Sequence, residues 1–198
     1  MLSGEDLVAL ADRLQADAED VLRDLALERR VSMLGELIRI GSASCGVMAL
    51  PDIDIGVLCD ELDVTGIFAI ARELFGHPCV ARVNIVDERG AFQSMPGPEN
   101  EGIYLGIRYV EGGVPDGRLW KIDLWFFPRA APRPELAVRD RLRAMSGEER
   151  LAVLTIKHAL IADGRYGGDG LHGIDVYAAV LDRGNASVAS AVARMTGR

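Results

Sequence analysis

The stretch IRIGSASCGVMALPDIDIGVLCDELD, residues 38–63, joins a Gly-Ser turn to two aspartates at the start of an apolar segment. Nine residues separate Ser42 from Asp52, and a single isoleucine separates Asp52 from Asp54. Two carboxylates this close raise the free energy of the folded chain unless a cation, or a ligand that brings one, lies between them. The stretch therefore predicts a cation-binding site at the mouth of a buried strand.

Alternation of apolar and polar residues predicts a sheet around this stretch. The predicted strands cover residues 36–40, 53–59, 79–87, 102–110 and 118–127. A helix at 65–76 crosses over between the second strand and the third. The long segment 88–101 is rich in Gly and Pro, and we interpret it as a mobile loop or a lid over a site.

Helical spacing of apolar residues predicts helices before and after the sheet. Before it, residues 4–34 form two helices with a break near Asp17. After the composition shift at PRAAPRP (128–134), the predicted helices cover residues 135–145, 147–163, 172–183 and 186–196. The fold class is α+β, a mixed sheet with N-terminal helices and a C-terminal helical bundle. The predicted organisation is an N-terminal helical segment (1–34), a core (35–130) and a C-terminal helical domain (131–198).

Composition narrows the class of protein. Of the 198 residues, 49% are apolar and 26% are charged, as in globular proteins. The net charge of −8 disfavours a broad nucleic-acid surface, although a nucleotide can bring its phosphates with magnesium. No apolar run approaches the ~20 residues of a membrane helix. Three cysteines without CxxC spacing argue against disulfides, so we expect a cytoplasmic protein without membrane contact.

A third carboxylate lies on the last predicted strand. In a strand, Asp52 and Asp54 point to one face, and on the strand 118–127 Asp123 opposes the apolar face formed by alternate residues. If these two strands are neighbours, three carboxylates converge on one point. Such a set suits magnesium, which takes oxygen ligands and works together with substrate phosphates. An ion pair between Asp123 and an arginine of the helical part is the structural alternative.

The Gly-Ser turn predicts an anion site beside the carboxylates. Gly41 permits close approach of the backbone to a phosphate, and Ser42 opens a short helix whose N–H groups can face an anion. The hydroxyl groups of Ser42 and Ser44 can add donors.

Taken together, IGS, the spacer, DIDI and the later KIDLW resemble the DNA polymerase beta-like nucleotidyltransferase superfamily. The resemblance implies that Ser42 holds the triphosphate of an NTP, and the turn adds Gly41 and Ser44 as further candidates for this binding. The resemblance also implies that Asp52, Asp54 and Asp123 bind two magnesium ions, and that Asp123 helps to activate the acceptor. The sequence departs from small bacterial members at Pro51, where they often carry Ser, and at Cys45, where they often carry Arg.

A second likeness lies in LTIKHALIADGR and GIDVYAAVL, which are similar to segments of nucleotidyltransferase-type toxins and resistance enzymes. It implies that Lys157 and Asp175, with Tyr177, approach the nucleotide. Lysine suits such a place as a point charge for phosphate. The alternatives are a solvated Lys157 and an Asp175 that interacts favourably with the N-terminus of its helix.

The sequence thus predicts a magnesium-dependent enzyme that moves an NMP from an NTP to a hydroxyl of a small, antibiotic-like acceptor. A toxin-type enzyme that acts on RNA or protein is one alternative, and a non-catalytic binding module on the same fold is another. The acidic surface disfavours a long polynucleotide as acceptor. The acceptor, the preferred base and the oligomeric state are open at this point.

Overall fold

The structure is a computed structural model that describes residues 2–182 and 187–197. Its helices, in chain order, are α1 (Gly4–Asp24), α2 (Leu27–Val31), α3 (Val64–Phe75), α4 (Pro134–Arg143), α5 (Gly147–Ala162), α6 (Gly173–Leu181) and α7 (Val188–Thr196). The strands are β1 (Glu36–Ile40), β2 (Asp52–Cys59), β3 (Val80–Glu88), β4 (Gly102–Val110) and β5 (Leu119–Pro128). The α+β class is confirmed.

The five strands form one mixed sheet in the order β1-β2-β5-β4-β3. The central pair, β2 and β5, is parallel, and the other three pairs are antiparallel. Strands that are far apart in sequence are therefore neighbours in the middle of the sheet. The strand predicted at 118–127 lies beside the one predicted at 53–59, so the condition for the carboxylates to converge is met.

Two apolar clusters stabilise the fold. The first lies between one face of the sheet and helices α1, α2 and α3, and it includes Ile53, Ile55 and Ile122, all fully buried. The second joins α5, α6 and α7 to the N-terminal half of α1. Helix α1 contributes to both clusters, since Leu7 belongs to the second and Leu22 to the first.

The prediction of a break near Asp17 is wrong. Helix α1 runs without interruption from Gly4 to Asp24, because buried residues continue its apolar face on both sides of Asp17. The chain turns instead at Ala26, which has a left-handed backbone with φ +46°. The carboxylate of Asp17 accepts a hydrogen bond from Arg118 at 2.6 Å.

The four C-terminal helices follow the predicted order. Helix α5 begins with a capping box, in which the hydroxyl of Ser146 and the carboxylate of Glu149 bind each other's backbone N–H groups. Residues 183 and 186, which were predicted as helix ends, lie outside the described residues. Among the described residues, the helices are all too short or too polar to cross a membrane. The division of the chain into three domains stays a prediction.

Candidate active site

The three predicted carboxylates lie together on two neighbouring strands. Asp54 of β2 is directly opposite Asp123 of β5 in the parallel register, and Asp52 is two residues earlier on the same face. Ligand oxygens of all three lie within 4.8 Å of one another. The opposite faces of both strands are buried in the sheet core, which fixes the position of the carboxylates. The structure therefore brings the predicted acids to one point.

Two residues that the sequence did not single out complete this group. The hydroxyl of Tyr104, on β4, donates to Oδ1 of Asp123 at 2.7 Å. The ammonium of Lys121 donates to Oδ2 of Asp123 at 2.6 Å and to Oδ1 of Asp52 at 3.3 Å. The sequence places Lys121 on the same face as Asp123, because residues two apart in a strand share a face, but it does not assign Lys121 a role. The contact of Tyr104 depends on the register of β4 against β5, which the sequence does not reveal.

The environment favours the neutral form of two of the acids. Burial, and then the charges of Asp52 and Asp123, raise the pKa of Asp54 to about 7. Burial also raises the pKa of Asp52, against the opposing charge of Lys121. Burial lowers the pKa of Lys121, but its hydrogen bond with Asp123 and the nearby carboxylates outweigh this effect and raise it. The cluster thus contains too little positive charge to compensate three ionised carboxylates, and a divalent cation would supply the missing charge.

The raised pKa of Asp54 predicts that the metal-free protein loses stability as the pH rises. Between the unfolded pKa of 3.8 and the folded pKa of about 7, the folded protein holds a proton that the unfolded chain has released. This contribution is fully present below the unfolded pKa and is lost as the pH rises through 7. We expect the free energy of unfolding in EDTA, relative to that of Asp54→Asn, to fall by about 2–3 kcal/mol between pH 5 and 7.5. Urea unfolding of both proteins measures it, and parallel pH curves would contradict the shift.

The Gly-Ser turn lies against Asp54. Gly41 has φ +62° and ψ −160°, and Ser42–Ser44 form one turn of 3-10 helix after it. A Cβ atom on Gly41 would lie 2.0 Å from Oδ2 of Asp54, so only glycine permits this approach. Gly41 and Ser42 line the cleft described below. The hydroxyl of Ser44 donates to the carbonyl of Gly41 at 2.8 Å, which stabilises the turn.

The carboxylates open into a cleft of about 870 Å³ between the sheet and the C-terminal helices. The far wall consists of residues from α4, α5 and α6 and of the loop between α5 and α6. Gly167 and Gly168 of that loop line the cleft with positive φ angles. Their place could not be read from the sequence, because it depends on how the helices pack on the sheet.

Lys157 and Asp175 differ in their positions. Lys157 lines the cleft and is 2% exposed, and its ammonium donates to the carbonyl of Val47 at 2.9 Å and the hydroxyl of Tyr177 at 3.0 Å. Burial lowers the pKa of Lys157 to about 8, although the charges of Asp54 and Asp52 oppose the shift. Asp175 is exposed, and its carboxylate caps α6 by accepting from the backbone N–H of His172 at 2.7 Å. It is not among the described residues that line the cleft.

Two further features near the site are Trp125, which shares a face of β5 with Asp123, and the loop 88–101. Trp125 packs on Phe127 with the rings parallel and their centroids 5.4 Å apart, and its centroid is 5.0 Å from that of Tyr104. The loop contains two short 3-10 turns, and Glu88 accepts from the hydroxyl of Ser94 at 2.9 Å. Neither Trp125 nor a described residue of this loop lines the cleft.

The donor set fits a hard divalent cation. All three groups are carboxylates, whose oxygens magnesium prefers, and the cluster contains neither sulfur nor imidazole. The side chain of Asp52 is 36% exposed and that of Asp123 is 17% exposed, so both face the open side of the sheet. Asp52, Asp54 and Asp123 are therefore the residues that could hold a metal at this cleft.

Comparison with solved structures finds terminal uridylyl transferase 4 from Trypanosoma brucei with bound UTP and UMP, at a TM-score of 0.51 and 17% identity. The match covers 85% of this chain and 50% of that one, so the chain spans about half the length of the uridylyl transferase. E. coli MS115-1 CdnC with ATP matches at a TM-score of 0.48 and 16% identity, over 89% of this chain and 61% of that one. No protein-family model and no curated protein matches the sequence. The sheet and helices that surround the cleft have the nucleotidyltransferase fold, which the chain shares with the uridylyl transferase.

Proposed function

We propose that the protein is a magnesium-dependent nucleotidyltransferase that transfers an NMP from an NTP to a hydroxyl group. The observation that carries the proposal is the meeting of Asp52, Asp54 and Asp123 beside the Gly41 turn. A phosphate-type turn and an oxygen-ligand cluster in one cleft are the two parts that a metal–triphosphate complex requires.

Each residue has a role in this proposal. Asp52, Asp54 and Asp123 hold two magnesium ions, which when bound activate the attacking oxygen and stabilise the pyrophosphate leaving group. Gly41 and Ser42 line the cleft, where their backbone and hydroxyl donors bind the triphosphate. Lys157 adds a buried positive charge for the phosphates. Asp123, held by the hydroxyl of Tyr104, orients the acceptor hydroxyl for attack.

The acceptor in our proposal is a small molecule of the aminoglycoside or lincosamide kind. The net charge of −8 disfavours a long polynucleotide, and a cleft of about 870 Å³ is in the usual range for small ligands. Addition of nucleotides to an RNA end is the second candidate, which the shared fold with a terminal uridylyl transferase favours. A non-catalytic binding module on the same fold is the third.

The test begins with nucleotide binding. Calorimetry with ATP, GTP, CTP and UTP is run in magnesium and again in EDTA, and we expect binding that requires magnesium. Labelled NTP is then incubated with a panel of antibiotics, with RNA and with protein. A labelled small molecule supports the leading proposal. Labelled RNA or labelled protein supports the alternative of a toxin-type enzyme, to which addition at an RNA end belongs. Nucleotide binding without transfer supports the binding module. A protein that binds none of the four NTPs would contradict the enzymatic proposal.

Lys157→Met is expected to weaken NTP affinity by about tenfold to a hundredfold without destabilising the metal-free protein. The two hydrogen-bond acceptors of Lys157 are neutral, so its buried charge costs free energy until an anion binds. Calorimetry and urea unfolding measure the two effects. Asp175→Asn is the matched control, because Asp175 is exposed and caps α6. It should retain NTP affinity and lose at most about 1 kcal/mol of stability. Equal loss of affinity in both variants would contradict these assignments.

A further inference from the structure

Lys121 lies among the three carboxylates, where it makes the contacts of a bound cation. Its Nζ atom donates to Oδ2 of Asp123 at 2.6 Å, and it is 3.3 and 3.4 Å from the two carboxylate oxygens of Asp52. An ammonium group at these distances compensates two acids that otherwise repel each other. The chain therefore supplies a cation to its own acidic cluster.

The residue type and the exposure of Lys121 suit a cation that can leave. The chain has 22 lysine and arginine residues, and two of them, Lys121 and Lys157, are lysines; both line the cleft. An arginine would hold a carboxylate in a planar, bidentate pair, whereas an ammonium is a compact charge on a flexible stem. The side chain of Lys121 is 41% exposed, whereas Lys157 is buried between Val47 and Tyr177. One lysine is thus fixed and the other has room to move.

We propose that Lys121 holds Asp52 and Asp123 until a divalent metal displaces it, and that the triphosphate arriving with the metal then binds the displaced ammonium. This inference rests on the proposed function. A metal that arrives alone breaks the lysine contacts and leaves the ammonium without an anionic partner. A metal that arrives with an NTP brings that partner. Metal affinity and nucleotide affinity are therefore coupled through Lys121, and the coupling is reciprocal.

The test measures Mn²⁺ binding from the electron paramagnetic resonance signal of the free ion, first without nucleotide and then with ATP, GTP, CTP and UTP in turn. Lys121→Met is expected to bind Mn²⁺ alone about tenfold more tightly than the parent protein, because no resident cation competes. It should also gain less Mn²⁺ affinity on addition of NTP. A purely structural role for Lys121 predicts the opposite direction, since unpaired carboxylates would separate and bind Mn²⁺ more weakly.

Two further variants complete the experiment. Arg108→Met removes a cation that lies opposite Lys121 in the β4–β5 register and acts on Asp52 through its charge without a hydrogen bond to it, so it should change Mn²⁺ affinity by less than about twofold. Lys121→Arg keeps the charge and should bind Mn²⁺ alone several-fold more weakly than the parent, because a guanidinium pairs more firmly with carboxylate. If Lys121→Met does not fold, Lys121→Arg decides the test.

The outcomes separate this inference from the proposed function. Equal Mn²⁺ affinity in the parent protein and in the Lys121 variants would overturn the displacement by metal and leave the nucleotidyltransferase proposal in place. Weaker Mn²⁺ binding by Lys121→Met would do the same. Failure of the folded parent to bind Mn²⁺ with any of the four NTPs would overturn the proposed function and this inference together.

Discussion

Asp54→Asn is expected to abolish magnesium-dependent NTP binding and to lower nucleotidyl transfer by at least about a thousandfold. Asp54 is the carboxylate that touches both parts of the site, since it lies opposite Asp123 and against the turn at Gly41. An amide in its place removes a charged metal ligand but preserves the shape of the side chain. The variant therefore separates the chemistry of the carboxylate from the packing around it.

The same variant is expected to be more stable than the parent protein in EDTA, by about 2–4 kcal/mol at pH 7.5. At this pH the parent has to ionise a group whose pKa is raised to about 7 by burial and by two neighbouring acids, and asparagine does not ionise. A gain in stability together with a loss of binding cannot result from misfolding. Calorimetry measures the NTP affinity, and urea unfolding measures the free energy.

Asp87→Asn is the matched control for Asp54→Asn. It makes the same chemical change on β3, where Asp87 pairs with Arg89 at 2.7 Å and lies outside the cleft lining. We expect parental NTP affinity and a loss of at most about 1 kcal/mol, because the ion pair is exposed. Magnesium-dependent binding that survives in Asp54→Asn would show that the carboxylates do not hold the nucleotide through a metal.

Asp54 and Lys157 are expected to lower the stability of the metal-free protein for related reasons. Each is an ionisable group in a poorly solvated place, and its charged form lacks a compensating charged partner at hydrogen-bond distance among the described residues. Residues that contribute only to folding rarely occupy such positions. Groups with pKa values perturbed by burial and by specific charges cluster at functional sites in proteins. The presence of Asp54 and Lys157 on opposite walls of one cleft supports the binding of a negatively charged ligand that carries a metal ion.

The sequence predicts the strands and the faces of the site well, because alternation is a local property. Asp52, Asp54 and Asp123 could each be assigned to the polar face of an apolar strand from their immediate neighbours. Their meeting was conditional on the pairing of β2 with β5, two strands separated by more than fifty residues. Gly41 could likewise be recognised as a turn, while its contact with Asp54 depends on the antiparallel pairing of β1 and β2.

The features that could not be predicted from the sequence depend on contacts between distant segments. Tyr104 reaches Asp123 because Gly106, directly opposite Asp123 on β4, has no side chain in the way; a Cβ there would lie 2.6 Å from the tyrosine oxygen. The prediction of a break at Asp17 is wrong because this half-buried residue lies at the edge of a buried helix face that continues past it, and its carboxylate accepts from Arg118. Packing of the buried face on the sheet outweighs the local polarity of one residue.

Gly41→Ala is expected to abolish NTP binding and to lower the free energy of unfolding by about 3–5 kcal/mol. The backbone at Gly41, with φ +62° and ψ −160°, lies in a region that other residues rarely adopt. The new methyl carbon would also lie 2.0 Å from Oδ2 and 2.8 Å from Cγ of Asp54. Asp54 belongs to a central strand whose other face is buried, so the turn has to move away from the carboxylate instead.

Gly90→Ala is the control for the loss of stability that the backbone conformation causes by itself. Gly90 also has a positive φ, +53°, but a Cβ there would have no neighbour within 4 Å. We expect a loss of about 1 kcal/mol and unchanged NTP affinity. A loss in Gly41→Ala no larger than that in Gly90→Ala would contradict the close approach of the turn to Asp54.

A double-mutant cycle then measures how much of the stability lost in Gly41→Ala comes from the contact between the new methyl group and Asp54. Asp54→Ala removes the two atoms nearest to the new methyl group and leaves Cβ, which would lie 2.9 Å from it. Gly41→Ala should therefore cost about 1–2 kcal/mol less in the Asp54→Ala protein than in the parent. Urea unfolding of the four proteins in EDTA gives this interaction energy. A value near zero would mean that the turn is strained by its backbone alone, and the glycine would then be required for its conformation and not for its contact with the carboxylate.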